Sequence, residues 1–190
     1  LVMRAVNEGD TTLATIVRST DRAFREVRPA PTLPSAPGGG VTIGAGVTMA
    51  QILADRELAF LHPAARAVGG PAIRQMATVG GNLFAPSPYG DFATALLALD
   101  AVVSVQGGYA GREVPIEPFL AGRERGPRAL VASVALARPA PGAFRFRKVA
   151  RVKPKGIAVL TIAAILPIAG GRVAGARIAY GARGPTPLRA

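Results

Sequence analysis

The residues with the most to offer a ligand are seven in a row, Ala77-Thr78-Val79-Gly80-Gly81-Asn82-Leu83. Glycine has no Cβ, so Gly80 and Gly81 let the backbone come close to a bound group. Successive N–H groups exposed in such a turn form a concavity that takes an anion. Thr78 and Asn82 add a hydroxyl and a carboxamide, which hydrogen-bond phosphate or sugar-alcohol oxygens. The same residues also make an ordinary tight turn. Two charged residues further along stand out beside them. Asp91 precedes an apolar helical pattern and reads as its cap. Lys148 ends the alternating Phe144-Arg145-Phe146-Arg147-Lys148, so it shares a face with two phenylalanines. A lysine in that company is odd for solvated decoration, although an edge strand carries such a lysine too.

Other chemistries lack their residues. There is no Cys, which excludes disulfides, thiolate metal sites, Fe–S ligation and a Cys nucleophile within this chain. His62 is the single histidine, so a multi-histidine metal site is excluded as well. No acidic pair stands out, and no GK[ST] phosphate loop occurs. Gly44-Ala45-Gly46 is followed by Met49 where a dinucleotide fingerprint needs its third glycine, and no acid follows about twenty positions on. What remains is a phosphorylated ligand held by backbone amides and by Arg or Lys.

The 190 residues are 49% hydrophobic, enough for a folded core without staples. The net charge of +12 is uneven. Residues 1–122 hold 9 Arg against 10 acids, whereas residues 123–190 hold 11 Arg and 3 Lys against Glu124 alone. This asymmetry points to an anionic partner for the C-terminal third, or to a solvated basic surface. Leu1 carries no basic segment leading into an apolar run. The longest apolar run, residues 156–166, ends before Pro167 and is too short for a bilayer. The expectation is a soluble, cytoplasmic chain, cut at both ends.

The elements that position these residues follow from pattern. Residues 1–28 read as a strand or short helix and then an amphipathic segment. Pro29 to Gly40 is a loop, and Val41-Thr42-Ile43 a short strand. Thr48 and Gln51 form a capping box for a helix to about Leu58, with Met49, Ile52 and Leu53 inward. Pro63 starts another helix, broken at Gly69-Gly70-Pro71. A helix from Phe92 to Leu99 follows Asp91. Ala101 to Gln106 and Tyr109 to Ile116 form a hairpin about Gly107-Gly108. Ala129 to Leu136 is a strand, as is Phe144 to Lys148. Ile157 to Ile168 and Arg172 to Tyr180 form a second hairpin about Gly170-Gly171.

Ile73-Arg74 followed by Ala77 to Leu83 resembles the flavin signature of the FAD-binding (medium) subunit of molybdenum-containing hydroxylases. Carbon monoxide dehydrogenase, xanthine dehydrogenase and aldehyde oxidase belong to that family. The resemblance extends to Val41-Thr42-Ile43-Gly44-Ala45-Gly46-Val47-Thr48 and to Pro88-Tyr89-Gly90-Asp91. It continues through Ala95 to Ala101, Phe144 to Lys148 with Arg151, and Ala176 to Gly181 with Pro187. It implies an α+β fold: a two-part FAD-binding domain of the vanillyl-alcohol-oxidase (PCMH) type over residues 1–139, then the start of a small α+β C-terminal domain over 140–190. It implies FAD held by Thr78, Gly80, Gly81 and Asn82 near the diphosphate and ribityl chain, by Asp91 near the flavin end, by Val131 through its backbone, and by Lys148. It implies no catalytic acid or base and no metal in this chain. Electrons would pass from 2Fe–2S clusters in a small partner subunit, fed by a molybdopterin centre in a large one, through FAD to a quinone, NAD⁺ or oxygen. The assembly would be a heterotrimer or its dimer. The family's first glycine-rich loop would lie before Leu1, and Val152 to Gly156 stands where an acidic residue is usual. A basic module binding nucleic acid or an acidic partner is the alternative, although aromatic residues are sparse around its arginines. A fragment that has the fold but no longer binds FAD is the other.

Overall fold

The computed structural model describes residues 9, 12, 15, 19–30, 39–107, 111–123, 130–152 and 156–190. Two antiparallel sheets and a layer of short helices make an α+β fold. The first sheet runs β1-β2-β5-β3-β4, from β1 (Val27–Ala30), β2 (Gly40–Gly44), β3 (Val102–Gln106), β4 (Arg112–Pro115) and β5 (Leu130–Ala137). The second, from β6 (Phe144–Ala150), β7 (Ala158–Ile165), β10 (Arg177–Gly181) and β11 (Leu188–Arg189), has the order β11-β10-β7-β6. A two-strand ribbon, β8 (Ile168–Ala169) with β9 (Arg172–Val173), carries the Gly170-Gly171 turn. Residues 138–143 link the two sheets.

Between β2 and β3 lie five helices: α1 (Met49–Ala54), α2 (His62–Ala67), α3 (Pro71–Met76), α4 (Val79–Leu83) and α5 (Asp91–Ala98). The capping box is present: Thr48 N–H donates to Gln51 Oε1 at 2.9 Å and Gln51 N–H to Thr48 Oγ1 at 3.2 Å. That helix stops earlier than the expected Leu58. Asp55 turns extended at ψ 115° and accepts the Glu57 N–H at 2.8 Å, which starts a 3-10 segment, Arg56–Leu61. A carboxylate two residues before a free N–H competes with the helical bond and ends the run. Pro63 lies in the first turn of α2, and Gly69 takes φ +50° before Pro71 opens α3. The second half of the expected Tyr109 to Ile116 strand is β4, while 108–110 lie outside the described residues. Ile116 instead begins a sixth helix, α6 (Ile116–Gly122). Ile116, Phe119 and Leu120 recur at helical spacing, a signal present in the sequence. Of the expected loop from Pro29 to Gly40, Pro29 and Ala30 instead end β1 and Gly40 opens β2, while 31–38 lie outside the described residues, as do 153–155 of the departure at Val152 to Gly156.

Helix α5 is the centre. All eight of its residues are buried, as expected for a helix covered on every side. It packs on β7 and β10 of the second sheet and on α2 and α4. One continuous apolar core therefore joins both sheets, from Ile43 and Val103 through Leu96 to Phe144, Ala163 and Ala179. The end of α5 is a Schellman closure, with Ala101 N–H on Leu96 O and Asp100 N–H on Leu97 O, both at 3.2 Å. Glycine is usual at the left-handed position. Here Asp100 holds it at φ +51°, and its carboxylate binds Arg177 at 2.7 Å and also Arg189. Arg189 reaches Glu117 at 2.8 Å as well. Burial pulls the Arg189 guanidinium down, but its hydrogen bonds to Glu117 and Asp100 outweigh this and leave its pKa above the usual value.

Part of the charge asymmetry is thus spent inside the molecule. Arg138, Lys148, Arg177 and Arg189 pair with Glu57, Asp91, Asp100 and Glu117 of the first 122 residues. No helix among the described residues is long and apolar enough to cross a membrane. Leu96→Ala removes a fully buried side chain from the helix at the centre of the apolar core. It is expected to cost about 2–5 kcal/mol, read as a lower midpoint in urea unfolding.

Candidate functional site

A cleft of about 430 Å³ opens between the Thr78–Asn82 stretch and the β6–β7 hairpin. Thr78, Gly81 and Asn82 line one side, and Lys148, Gly156, Ile157 and Ala158 the other, with Asp91 also in the lining. Its other walls include Ile73, Met76 and Tyr89. These are large apolar side chains left in water: Met76 is 73% exposed, Ile73 52%, Tyr89 50% and Ile157 50%. Apolar groups gathered round a concavity are the usual dress of a ligand site.

The Thr78–Asn82 stretch differs from the open turn expected of it. It is a single helical turn capped by Thr78, and its amides are spent within the protein. Val79 N–H donates to Val47 O at 2.9 Å, and Gly80 N–H to Ala45 O at 2.8 Å. Gly81 N–H donates to Thr78 Oγ1 at 3.0 Å, and Asn82 N–H to Thr78 O at 2.9 Å. An anion-binding concavity built from these four amides is therefore not what the structure shows. The two glycines do separate jobs. Gly80 is buried, and a Cβ there would sit 2.8 Å from that of Ala45, so this glycine permits close packing on the β2 turn. Gly81 faces the cleft, where a Cβ would meet only Thr78 Oγ1 at 3.0 Å.

Asn82 is buried, and its Oδ1 accepts the Ala93 N–H at 3.0 Å. This bond ties α4 to α5. It also leaves the side-chain NH₂ as the end of Asn82 able to donate to a ligand.

Asp91 is 3% exposed, and Gly90, not Asp91, occupies the cap position of α5. The Asp91 carboxylate instead reaches across to the second sheet. Oδ2 pairs with Lys148 Nζ at 2.6 Å, and Oδ1 accepts the Thr161 hydroxyl at 2.7 Å. Lys148 Nζ also donates to Ala67 O at 3.1 Å, at the end of α2. An ammonium has three N–H groups, so one remains for a ligand. The alternation that placed Phe144, Phe146 and Lys148 on one face holds, and that face is the inner one. Thr161 was not anticipated, yet it is the sole hydroxyl in the apolar run 156–166.

Val131 is not part of the cleft. It is buried in β5, opposite Val105, beside an irregularity in the pairing with β3. Arg74 is structural: its Nη1 donates to Gly69 O at 2.7 Å and closes the end of α2. His62 Nε2 lies 3.0 Å from Asp55 O and holds the preceding turn. Among the described residues no cluster of His, Cys, Asp and Glu could hold a metal ion.

Residues 31–139 match the model of the FAD binding domain in molybdopterin dehydrogenase. The chain belongs to this family. FAD is the family's cofactor. The chain is 31% identical over 164 residues to the putative xanthine dehydrogenase FAD-binding subunit XdhB of Escherichia coli (strain K12), covering 81% of this chain and 56% of that protein. It is 35% identical over 107 residues to the nicotinate dehydrogenase FAD-subunit of Eubacterium barkeri, covering 53% of this chain and 36% of that one. These relatives are FAD subunits of dehydrogenases, and the chain spans about half the length of the first. Its fold is that of solved carbon monoxide dehydrogenases. The Cu,Mo enzyme in its cyanide-inactivated form gives a TM-score of 0.79 at 24% identity, over 98% of this chain and 67% of that one. The enzyme from Hydrogenophaga pseudoflava that lacks the Mo-pyranopterin moiety gives 0.76 at 23%, over 88% and 58%.

The cleft suits part of FAD well. The exposed apolar rim matches a flat ring system, while the Asn82 NH₂ group and the remaining Lys148 N–H match its polar edge or a ribityl hydroxyl. The charged groups in the described lining are Asp91 and Lys148, which neutralise one another. The diphosphate therefore finds no spare cation among these residues. The two glycines can be separated by experiment. Gly80→Ala is expected to lower stability by about 1–3 kcal/mol through overpacking on Ala45. Gly81→Ala is expected to cost less stability and to narrow the cleft, checked by thermal unfolding alongside FAD titration.

Proposed function

We propose that this chain is the flavoprotein part of a molybdenum hydroxylase complex, with FAD in the cleft between α4 and the β6–β7 hairpin. The observation that carries the reading is the arrangement of that cleft: apolar side chains in water around it, Gly81 and Asn82 on one wall, and the Asp91–Lys148 pair fixed on the other. Bound FAD supplies the redox chemistry. The chain's own residues bind and orient. Thr78 holds α4 in place, Gly80 lets α4 approach β2, and Gly81 keeps the wall open. Asn82 and Lys148 donate hydrogen bonds, Asp91 fixes Lys148, and the Ile73, Met76, Tyr89 and Ile157 side chains keep water from the ring.

In the complex, the chain relays electrons from 2Fe–2S clusters in a small partner subunit to an external acceptor. Substrate oxidation takes place at a molybdenum centre in a large subunit. The names of the relatives support this role, as does the lack of cysteine, which leaves clusters to be ligated elsewhere. The proposed assembly is a hetero-oligomer in the cytoplasm.

Absorbance of the purified chain after incubation with FAD and removal of excess tests the reading. Flavin bands near roughly 375 and 450 nm, which belong to the cofactor, are expected to stay with the protein. A colourless protein that takes up no FAD contradicts it. If that protein also bound DNA with steep salt dependence, its basic C-terminal third would be a nucleic-acid surface instead.

A further inference from the structure

We infer that Thr161 is a positioning residue for the FAD cleft, acting through Asp91 to fix the Lys148 ammonium at the cleft wall. The inference rests on the reading of the cleft as a flavin site. Lys148 and Thr161 are register partners on β6 and β7, so two neighbouring strands present their side chains to one carboxylate. Thr161 takes Oδ1 at 2.7 Å and Lys148 takes Oδ2 at 2.6 Å. With Oδ1 engaged, the carboxylate cannot swing away, and Oδ2 stays aimed at Lys148. The Ala67 carbonyl, at 3.1 Å, holds the ammonium from a second side. Two of the three N–H groups are then committed, and the direction of the third is set.

Thr161 itself has no place in the cleft lining, whereas Asp91 and Lys148 do. It is 1% exposed and donates its hydroxyl to Asp91, so its polar function is spent there. The packing behind it is equally tight. Gly181 is its register partner on β10, and a Cβ on Gly181 would stand 3.3 Å from Thr161 Cβ and 2.3 Å from Thr94 Oγ1. Glycine at 181 thus lets β10 lie directly against Thr161. A buried hydroxyl donating to a carboxylate is a charge-assisted bond, stronger than a neutral one and sharper in direction. Most of the surrounding strand is Ala, Val, Leu and Ile, so this hydroxyl stands alone in an apolar run.

The test uses the full chain with Thr161→Val, which keeps the shape and removes the donor, and Thr161→Ser, which keeps the donor. Thr161→Ala is the second donor-free variant should the first fail to fold, with folding checked by circular dichroism. The first readout needs no cofactor: acetylation of Lys148 at one fixed pH, followed by mass spectrometry. Lys148 is expected to label several-fold faster in the donor-free variant than in the parent, and at the parental rate in Thr161→Ser. The second readout is FAD itself. Its affinity is expected to fall about tenfold in the donor-free variant, equivalent to about 1.4 kcal/mol, with a shifted visible band that Thr161→Ser restores. Donor-free variants that fold, label like the parent and bind FAD with the parental spectrum overturn the inference. A parent that binds no FAD would instead remove the flavin reading, while the labelling comparison would still decide whether Thr161 positions Lys148.

Discussion

The buried carboxylate of Asp91 is the constraint on which the cleft depends. A carboxylate withdrawn from water must be paired and hydrogen-bonded or its burial costs far more than packing returns. Both of its oxygens are satisfied by the second sheet, through Lys148 and Thr161, although Asp91 itself begins a helix that belongs to the first part of the chain. The β6–β7 hairpin is thereby drawn against α5 and faces α4. Without that attachment Lys148 would keep only its bond to Ala67 O, and the cleft would lose one of its two polar walls.

The other end of α5 repeats the device. Asp100 takes the left-handed position that glycine usually fills, and Arg177 and Arg189 meet its carboxylate. A negative charge at a helix C-terminus opposes the helix dipole, and two guanidinium groups offset that cost. So α5 carries an acid at each end, and each acid is answered by bases of the second sheet. The apolar core alone would hold the second sheet against α5. The two ionic attachments add direction: they set where along α5 the second sheet sits. The division of the sequence into a near-neutral first part and a basic second part has, in this measure, an intramolecular reason.

Much of this was legible from residue types. The α+β class, the Thr48–Gln51 capping box, the break at Gly69-Gly70-Pro71 and the alternation of Phe144 to Lys148 all follow from local rules, and local rules held there. Asp91 and Lys148 could be singled out one by one, but their pairing could not, because the bond joins residues 57 positions apart. Thr161 was visible as a lone hydroxyl in an apolar run, and only register shows what it is for. The glycine pair misled in an instructive way. Two glycines suggested exposed amides, yet Thr78 and the β2 turn claim those amides, and close packing on Ala45 explains Gly80 without a ligand. The α1 helix ended early for a similar reason, since Asp55 served its own backbone first.

The central claim is that Asp91 and Lys148 act as one unit holding the cleft wall, and a double-mutant cycle tests it most directly. Asp91→Asn, Lys148→Met and the double variant would be unfolded in urea beside the parent. Removing one partner of a buried pair strands the other, so each single change is predicted to cost about 3–5 kcal/mol. The double change is predicted to cost well under the sum, with a coupling of at least about 1 kcal/mol. Single costs that simply add would show two residues with no bond between them, and would contradict the account.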